Sequence, residues 1–197
     1  MATSHKSTLV LRCKVVLVGD AHVGKSAVRE MFHSGGQHYP KHYVMTAGVD
    51  FCVKMVNIPD TNVAVELYLY DCAGQSIFNQ LDHMSKHWEN TSQVVVCYDV
   101  SSRESFQSCA KWLQGVRGVR PANPVGGVLL ANKIDLRETG RAVVDAEEGV
   151  EFAQANGLEY YECSALTGGA VDEPFNYIAN TFYKKYEESV SRAEDLA

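Results

Sequence analysis

The chain has 197 residues, enough for one medium-sized domain with its own core. Hydrophobic residues make up 46% and charged residues 21%, which is typical of globular proteins. The formal net charge of −6 disfavours general binding to nucleic acid or to an anionic membrane. No stretch reaches the length of a membrane span, and residues 1–8 lack the apolar segment of a signal peptide.

The cysteines point to a reducing compartment. Six of them are scattered along the chain without a C-x-x-C pair, and several lie within apolar runs. We therefore expect free thiols in a cytoplasmic protein rather than a disulfide framework or a zinc site. His83 and His87 have the spacing of one helical face, but without a third ligand nearby we interpret them as surface histidines.

The first motif is a glycine-rich loop between a predicted strand at 9–18 and a predicted helix that ends near Gly35. The loop reads Gly19-Asp20-Ala21-His22-Val23-Gly24-Lys25-Ser26, followed by Ala27. This G-x-x-x-x-G-K-[ST] pattern surrounds a phosphate with backbone N–H groups at a helix start. Lys25 is expected to reach the β- and γ-phosphates, and the Ser26 hydroxyl to bind Mg²⁺. An ordinary glycine turn with an incidental lysine is the alternative.

Hydrophobic patterns predict the remaining strands. Alternation at 49–55 and 63–69 predicts a hairpin around a turn at 59–62. Continuous apolar runs at 94–98 and 125–131 predict strands buried on both faces, and 158–163 is predicted as a short strand. Because the hairpin strands are antiparallel, one edge of an otherwise parallel sheet should be antiparallel.

Helical segments alternate with these strands. They are predicted at 27–34, 105–116, 145–156 and 171–188, with a mixed loop and helix at 76–90. This order predicts an α/β fold with a single doubly wound, mostly parallel six-stranded sheet, one antiparallel edge strand and about five flanking helices. We expect a flexible N-terminus at 1–8, one domain at 9–188 and an acidic C-terminal tail at 189–197.

Every unusual motif follows a predicted strand, where ligands bind in such sheets. With these motifs in this order, the sequence resembles the Ras superfamily of small GTPases over nearly its whole length. The matching motifs are GDAHVGKS, Thr46 before the hairpin, DCAGQ at 71–75, NKID at 132–135 and SAL at 164–166. The resemblance implies a P-loop small G domain that binds GTP or GDP with Mg²⁺ and hydrolyses GTP.

The resemblance assigns guanine recognition to the two later motifs. Asp135 can accept hydrogen bonds from the N1–H and exocyclic amine of guanine, a donor pair that adenine lacks. Asn132 is expected to brace the loop and the base, and the Lys133 stem to lie along the base. Backbone N–H groups at the guanine oxygen would come from Ser164, Ala165 and Leu166. A site built around specific donors strongly rejects analogues that lack them.

The resemblance also assigns the Mg²⁺ ligands and the residues that take part in GTP hydrolysis. The expected Mg²⁺ ligands are Ser26, Thr46 and Asp71, with Asp71 acting through water. Gly74 would donate an N–H to the γ-phosphate, and Gln75 matches the glutamine that orients the attacking water. Lys25 and Thr46 complete the catalytic set. Tyr39 is placed against the guanine edge and Tyr43 over the phosphates, with surface tyrosines as the alternative at both positions.

Within the superfamily, TAGVDF at 46–51 and YDCAGQ at 70–75 look Rab-like, with departures in the loops. Ala21-His22 replaces the Ser-Gly that is usual in Rabs, Tyr70 replaces a Trp, and Ser76 follows Gln75 where a Glu is usual. The two loop side chains crowd the γ-phosphate position, so we predict slow intrinsic hydrolysis. The last cysteine is Cys163, and without a C-terminal C-a-a-X box or a polybasic patch no lipid anchor is expected.

This unlipidated Rab-like pattern is most similar to the Rab-like GTPase subunits of the intraflagellar transport complex. Further matches are PDT at 59–61, KWL at 111–113 and residues 193–197. This resemblance implies a cilium or flagellum and its basal body, and a heterodimer with a small β-sandwich subunit of that complex. The last helix is the expected dock, although most of its apolar stripe should be core. The stripe consists of Phe175, Ile178, Phe182 and Tyr186, and Tyr177 with the helix end is left for a partner.

Two other functions remain open at this stage. The chain could be a structural subunit whose bound guanine nucleotide only stabilises the fold, which Ala21, His22 and Ser76 keep in consideration. A P-loop kinase is the other alternative, against which the NKID motif argues.

Overall fold

The computed structural model describes residues 8–74, 81–119 and 124–195, excepting the side chains of 81–84. These ranges contain six strands and six helices. The strands are β1 Leu9–Val18, β2 Val49–Asn57, β3 Val63–Cys72, β4 Gln93–Asp99, β5 Gly126–Asn132 and β6 Glu159–Glu162. The helices are α1 Lys25–Ser34, α2 Leu81–Trp88, α3 Arg103–Gly118, α4 Asp135–Glu138, α5 Ala146–Ala155 and α6 Glu173–Glu194.

The strands form one sheet in the order β2-β3-β1-β4-β5-β6. The β2–β3 pair is antiparallel, and the other neighbouring pairs are parallel. This arrangement confirms the predicted fold class. The carboxyl ends of β1, β3, β4 and β5 lie along the same edge, which brings the loops that follow them together.

Helices cover both faces of the sheet, and each face has its own apolar core. On one face α1 and α6 pack against β1 and β3, and the rings of Phe32 and Phe175 stack with centroids 4.1 Å apart. On the other face α3 packs against β4 and β5, with Trp112 and Leu113 buried. Because both faces are covered, the central strands are almost wholly apolar, as their continuous hydrophobic runs predicted.

The largest differences from the predictions are at the ends of two elements and in one additional helix. The hairpin strand β3 continues through Asp71 to Cys72, because its ladder with β2 extends to the Val49–Cys72 pair. The short helix α4 was not predicted, since four residues are too few for a helical hydrophobic period. Helix α6 continues past its predicted end at Glu188 to Glu194.

The cysteines are free thiols, and all but Cys52 are buried. Burial raises the pKa of Cys13 to about 12, so this thiol stays protonated at neutral pH. Within the described ranges, no helix has both the length and the apolar content that crossing a bilayer requires.

Candidate functional site

The glycine-rich loop joins the end of β1 to the first turn of α1. Gly24 has φ of 95°, and a Cβ there would lie 2.4 Å from Asn132 Nδ2. Only glycine combines that backbone conformation with so close an approach. The loop therefore presents its backbone, rather than side chains, at the N-terminus of α1, which suits an anion.

Lys25 lies inside this loop and is only 6% exposed. Its ammonium group donates to the backbone carbonyls of Gly19 and Asp20, each at 2.9 Å. Burial lowers the pKa of Lys25, against the opposing effect of the Asp71 carboxylate. A lysine held by the carbonyls of its own loop is positioned to transfer those hydrogen bonds to a phosphate.

The three predicted Mg²⁺ ligands come from separate elements and meet beside the loop. The hydroxyl oxygens of Ser26, on α1, and Thr46, before β2, are 3.0 Å apart. Asp71 on β3 is fully buried, and neither of its carboxylate oxygens has a hydrogen-bond partner. Burial raises the pKa of Asp71, although Ser26 and Lys25 act in the opposite direction.

These residues fit a magnesium ion that is shared with phosphate. A buried carboxylate without a partner is stabilised by a cation. Among the described residues, no cluster of three or more His, Cys, Asp or Glu side chains could hold a metal by itself. One carboxylate and two hydroxyls leave positions for phosphate oxygens and water, which is how Mg²⁺ is usually bound in nucleotide sites.

Gly74 follows β3 and lies directly against the glycine-rich loop. A Cβ at this position would be 2.3 Å from the backbone nitrogen of Ala21. The adjacent Ala73 N–H donates to the Gly48 carbonyl at 2.8 Å, which holds this turn beside the start of β2. Gln75, the predicted water-orienting residue, lies outside the described residues.

Asn132 at the end of β5 connects three loops through a side chain that is 1% exposed. Its Nδ2 donates to the Val23 carbonyl at 2.8 Å, within the glycine-rich loop. Its Oδ1 accepts from the Ala165 N–H at 3.1 Å and from the Cys163 thiol at 3.5 Å. Asn132 therefore fixes the spacing between the predicted phosphate and base regions.

Asp135 begins α4, and one of its carboxylate oxygens accepts from the Ser164 hydroxyl at 2.6 Å. The same hydroxyl oxygen accepts from the Thr167 N–H at 3.2 Å, so Ser164 orders both its own loop and Asp135. Leu166 in that loop is 59% exposed. The second Asp135 oxygen has no hydrogen-bond partner in the described structure, which leaves an acceptor at the rim of the site.

Lys133 links the loop after β5 to the glycine-rich loop. Its ammonium group donates to the His22 carbonyl at 2.7 Å and to Asp99 Oδ2 at 2.6 Å. Asp99 is buried at the end of β4, and its other oxygen accepts from the backbone and hydroxyl of Ser101. Burial raises the pKa of Asp99, but the hydrogen bonds from Lys133 and Ser101 outweigh that effect and lower it overall.

Asp99 and Trp112 belong to the site but were missed in the sequence analysis. Trp112 Nε1 on α3 donates to Asp20 Oδ1 at 2.8 Å and anchors the start of the glycine-rich loop. Asp99 could have been found, because it directly follows a buried strand, as the other site residues do. Nothing in the sequence pattern near Trp112 indicates its contact with Asp20.

A cavity of about 880 Å³ lies between the glycine-rich loop and the segment that precedes β2. Eleven of the predicted site residues line it: Ala21, His22, Gly24, Lys25, Ser26, Ala27, Tyr39, Tyr43, Thr46, Gly74 and Lys133. The other described ones are not among its lining residues: Asp20, Val23, Asp71, Asn132, Asp135, Ser164, Ala165 and Leu166. The cavity therefore corresponds to the predicted phosphate region, and the predicted base region adjoins it through Lys133.

Comparison with known proteins identifies the class of this domain. Residues 14–184 match the sequence profile of the Ras family. The chain therefore belongs to the Ras family of small GTPases, proteins that in general bind GTP or GDP with Mg²⁺.

Its relatives narrow the kind of GTPase. The chain is 42% identical over 191 residues to Intraflagellar transport protein 27 of Chlamydomonas reinhardtii, covering 95% of this chain and 92% of the relative. It is 39% identical over 187 residues to Intraflagellar transport protein 27 homolog of Homo sapiens, covering 95% and 98%. It is 33% identical over 181 residues to Ras-related protein Rab-1 of Theileria parva, covering 91% and 78%. Within the Ras family, the chain is thus Rab-like and of the intraflagellar transport type.

Proposed function

We propose that this protein is a Mg²⁺-dependent switch that binds GTP and GDP and hydrolyses GTP slowly. The observation that carries the proposal is the convergence of four strand-end loops, joined by Asn132 and Lys133, on one cradle. Gly24 to Ser26 would hold the phosphates, and Asp135 the guanine. Ser26, Thr46 and Asp71 would bind Mg²⁺, whose charge would neutralise the phosphate oxygens when bound.

The switch itself rests on Thr46 and Gly74. The Thr46 hydroxyl contacts Ser26, and Gly74 lies against the loop backbone at Ala21, so both are within reach of a terminal phosphate. Loss of that phosphate would release the segments that carry them. Gln75 is proposed to orient the attacking water. Ala21 and His22 line the same cavity as Gly74, which supports a slow intrinsic rate of hydrolysis.

Nucleotide binding and single-turnover hydrolysis test the proposal together. With Mg²⁺ present, GTP and GDP are expected to bind more tightly than ATP and ADP, because adenine lacks the donors that Asp135 accepts. Hydrolysis should be slow and should slow further in Gln75→Leu. Equal affinity for ATP would refute guanine recognition, and a wild-type rate of about one per second would refute slow hydrolysis.

The same hydrolysis measurements distinguish a GTPase switch from a structural subunit. Tight guanine binding without detectable hydrolysis would favour a structural subunit whose nucleotide only stabilises the fold. Detectable hydrolysis that Gln75→Leu leaves unchanged would contradict the role of Gln75.

We further propose that the protein acts in intraflagellar transport, in a cilium or flagellum and at its basal body. Its similarity to relatives named Intraflagellar transport protein 27 supports this assignment. Its partner would be a small β-sandwich subunit of the transport complex, bound through the end of α6. Phe175 and Ile178 at the start of that helix are fully buried, whereas Tyr186 and Val190 are 38% and 37% exposed. The end of α6 is thus free to present apolar side chains.

Val190→Glu is expected to weaken the heterodimer about tenfold, since it places a charge in a desolvated contact. Lys184→Glu is the control, because Lys184 is also exposed but lies about 120° around the helix from Val190. Calorimetric titration with the purified β-sandwich subunit measures both. Equal weakening by the two variants would mean that charge, rather than the Tyr186–Val190 face, determines binding.

A further inference from the structure

His22 makes a ring contact that neither the glycine-rich loop pattern nor the proposed function requires. Its imidazole lies on the Tyr43 ring, with centroids 4.4 Å apart and the ring planes at 31°. His22 belongs to the glycine-rich loop, and Tyr43 belongs to the segment on the far side of the cavity. The contact therefore bridges the two walls of the cavity.

The His22 backbone is fixed independently of this contact. Its φ is 67°, a left-handed conformation that is uncommon for any residue except glycine. Its carbonyl accepts the hydrogen bond from Lys133 at 2.7 Å. His22 is thus a rigid support that holds its ring at the mouth of the cavity.

The opposite wall has few other attachments. The segment 38–47 is mostly exposed, and Tyr43, Val44 and Met45 are 62%, 78% and 53% exposed. Its ends are held by hydrogen bonds at His38 and Thr46. Between these two residues, all of them described, the Tyr43 ring contact is the one hydrogen-bonding, ionic or aromatic contact to another part of the chain.

We propose that His22 and Tyr43 form a latch that closes segment 38–47 over the cradle and slows nucleotide release. The latch rests on the proposed function, because its ligand is the guanine nucleotide of that site. His22 acts as a positioning residue: it holds Tyr43, and Tyr43 covers the phosphates. The two rings must therefore separate before a nucleotide can dissociate from the cavity.

Release of a fluorescent GDP analogue, chased with excess GDP in Mg²⁺, tests the latch. His22→Gly removes the ring while keeping the carbonyl that Lys133 uses, and glycine accepts the left-handed backbone. This variant and Tyr43→Ala are each expected to release the analogue about two- to tenfold faster, as the loss of one aromatic pair implies. The double variant should be no faster than either single variant, because both remove the same contact. His22→Phe, which returns a ring, should restore slow release.

His42→Ala is the matched control, since His42 is an exposed ring on the same segment without a partner in the described structure. Acceleration by His42→Ala equal to that of Tyr43→Ala, or rates that multiply in the double variant, would overturn the latch. If the wild-type chain retains no guanine nucleotide, the proposed function fails. Hydrogen exchange of the backbone amides over 38–47 in the nucleotide-free chain then tests whether the His22–Tyr43 contact holds the segment. Faster exchange in His22→Gly than in wild type supports this role, and unchanged exchange overturns it.

Discussion

Replacing Asp71 by alanine is expected to stabilise the nucleotide-free protein while weakening its Mg²⁺-dependent binding of GDP. Asp71 is fully buried, and its two carboxylate oxygens lack hydrogen-bond partners. Without a bound cation, such a group costs about 1–3 kcal/mol of unfolding free energy. Alanine recovers that cost less the attraction that Asp71 provides to the buried Lys25 ammonium. With Mg²⁺, the lost carboxylate should reduce GDP affinity about 10- to 100-fold, as for other outer-sphere metal partners. Stability and function are therefore expected to change in opposite directions.

Urea unfolding in EDTA without nucleotide measures the first effect, and GDP titration with Mg²⁺ or EDTA measures the second. Asp99→Ala is the matched control, because Asp99 is similarly buried but is paired with Lys133 and bonded to Ser101. Its loss should destabilise the chain by about 1–3 kcal/mol and leave the ratio of Mg²⁺ to EDTA affinities as in wild type. If both variants lose stability equally, Asp71 does not carry an uncompensated charge.

Asn132→Ala is expected to destabilise the protein by about 2–5 kcal/mol and to abolish retention of GDP. The variant leaves the Val23 carbonyl and the Ala165 N–H buried without their partner, and both residues are at most 3% exposed. It also separates the loops that are proposed to hold phosphate and base. Urea midpoints give the stability, and gel filtration with bound GDP gives the retention.

Two further variants make this measurement specific. Asn156→Ala removes a comparable amide hydrogen bond, from Nδ2 to the Phe152 carbonyl at 2.8 Å, at the end of α5. It should cost only about 0.5–1.5 kcal/mol. Asn132→Asp keeps the acceptor for Ala165 but places a buried carboxylate against the Val23 carbonyl, so it should destabilise the protein at least as much as Asn132→Ala. An Asn132→Ala cost no larger than that of Asn156→Ala would refute the connecting role of Asn132.

Strands and the motifs at their ends could be predicted because buried strands appear in the sequence as runs of apolar residues. The run that predicted β1 gives Leu9–Val18, and the buried runs of β4 and β5 begin or end within one or two residues of the prediction. The same rule places the loops after β1, β3 and β5 at one edge, so their convergence followed from the strand order. Local patterns carry this information because neighbouring residues share one environment.

Contacts between distant segments could not be predicted in the same way. Trp112 and Asp20 are far apart in the chain. The sequence pattern predicts that a buried tryptophan belongs to the core, whether or not its N–H donates a hydrogen bond to a carboxylate. The Lys133–Asp99 pair and the His22–Tyr43 contact likewise depend on how two loops face each other. Helix α4 was missed because its four residues are too few to show a period.

The core beneath the proposed partner helix also supports the cradle. Helix α6 shares its apolar core with α1, through the stacked rings of Phe32 and Phe175, and α1 begins at Lys25. The proposed partner on α6 and the proposed nucleotide at the start of α1 would therefore both bind to helices of one shared core. Any free energy that couples them is reciprocal: the factor by which the partner changes nucleotide affinity equals the factor by which nucleotide changes partner affinity. Assembly into a complex would then change the affinity for nucleotide by that same factor.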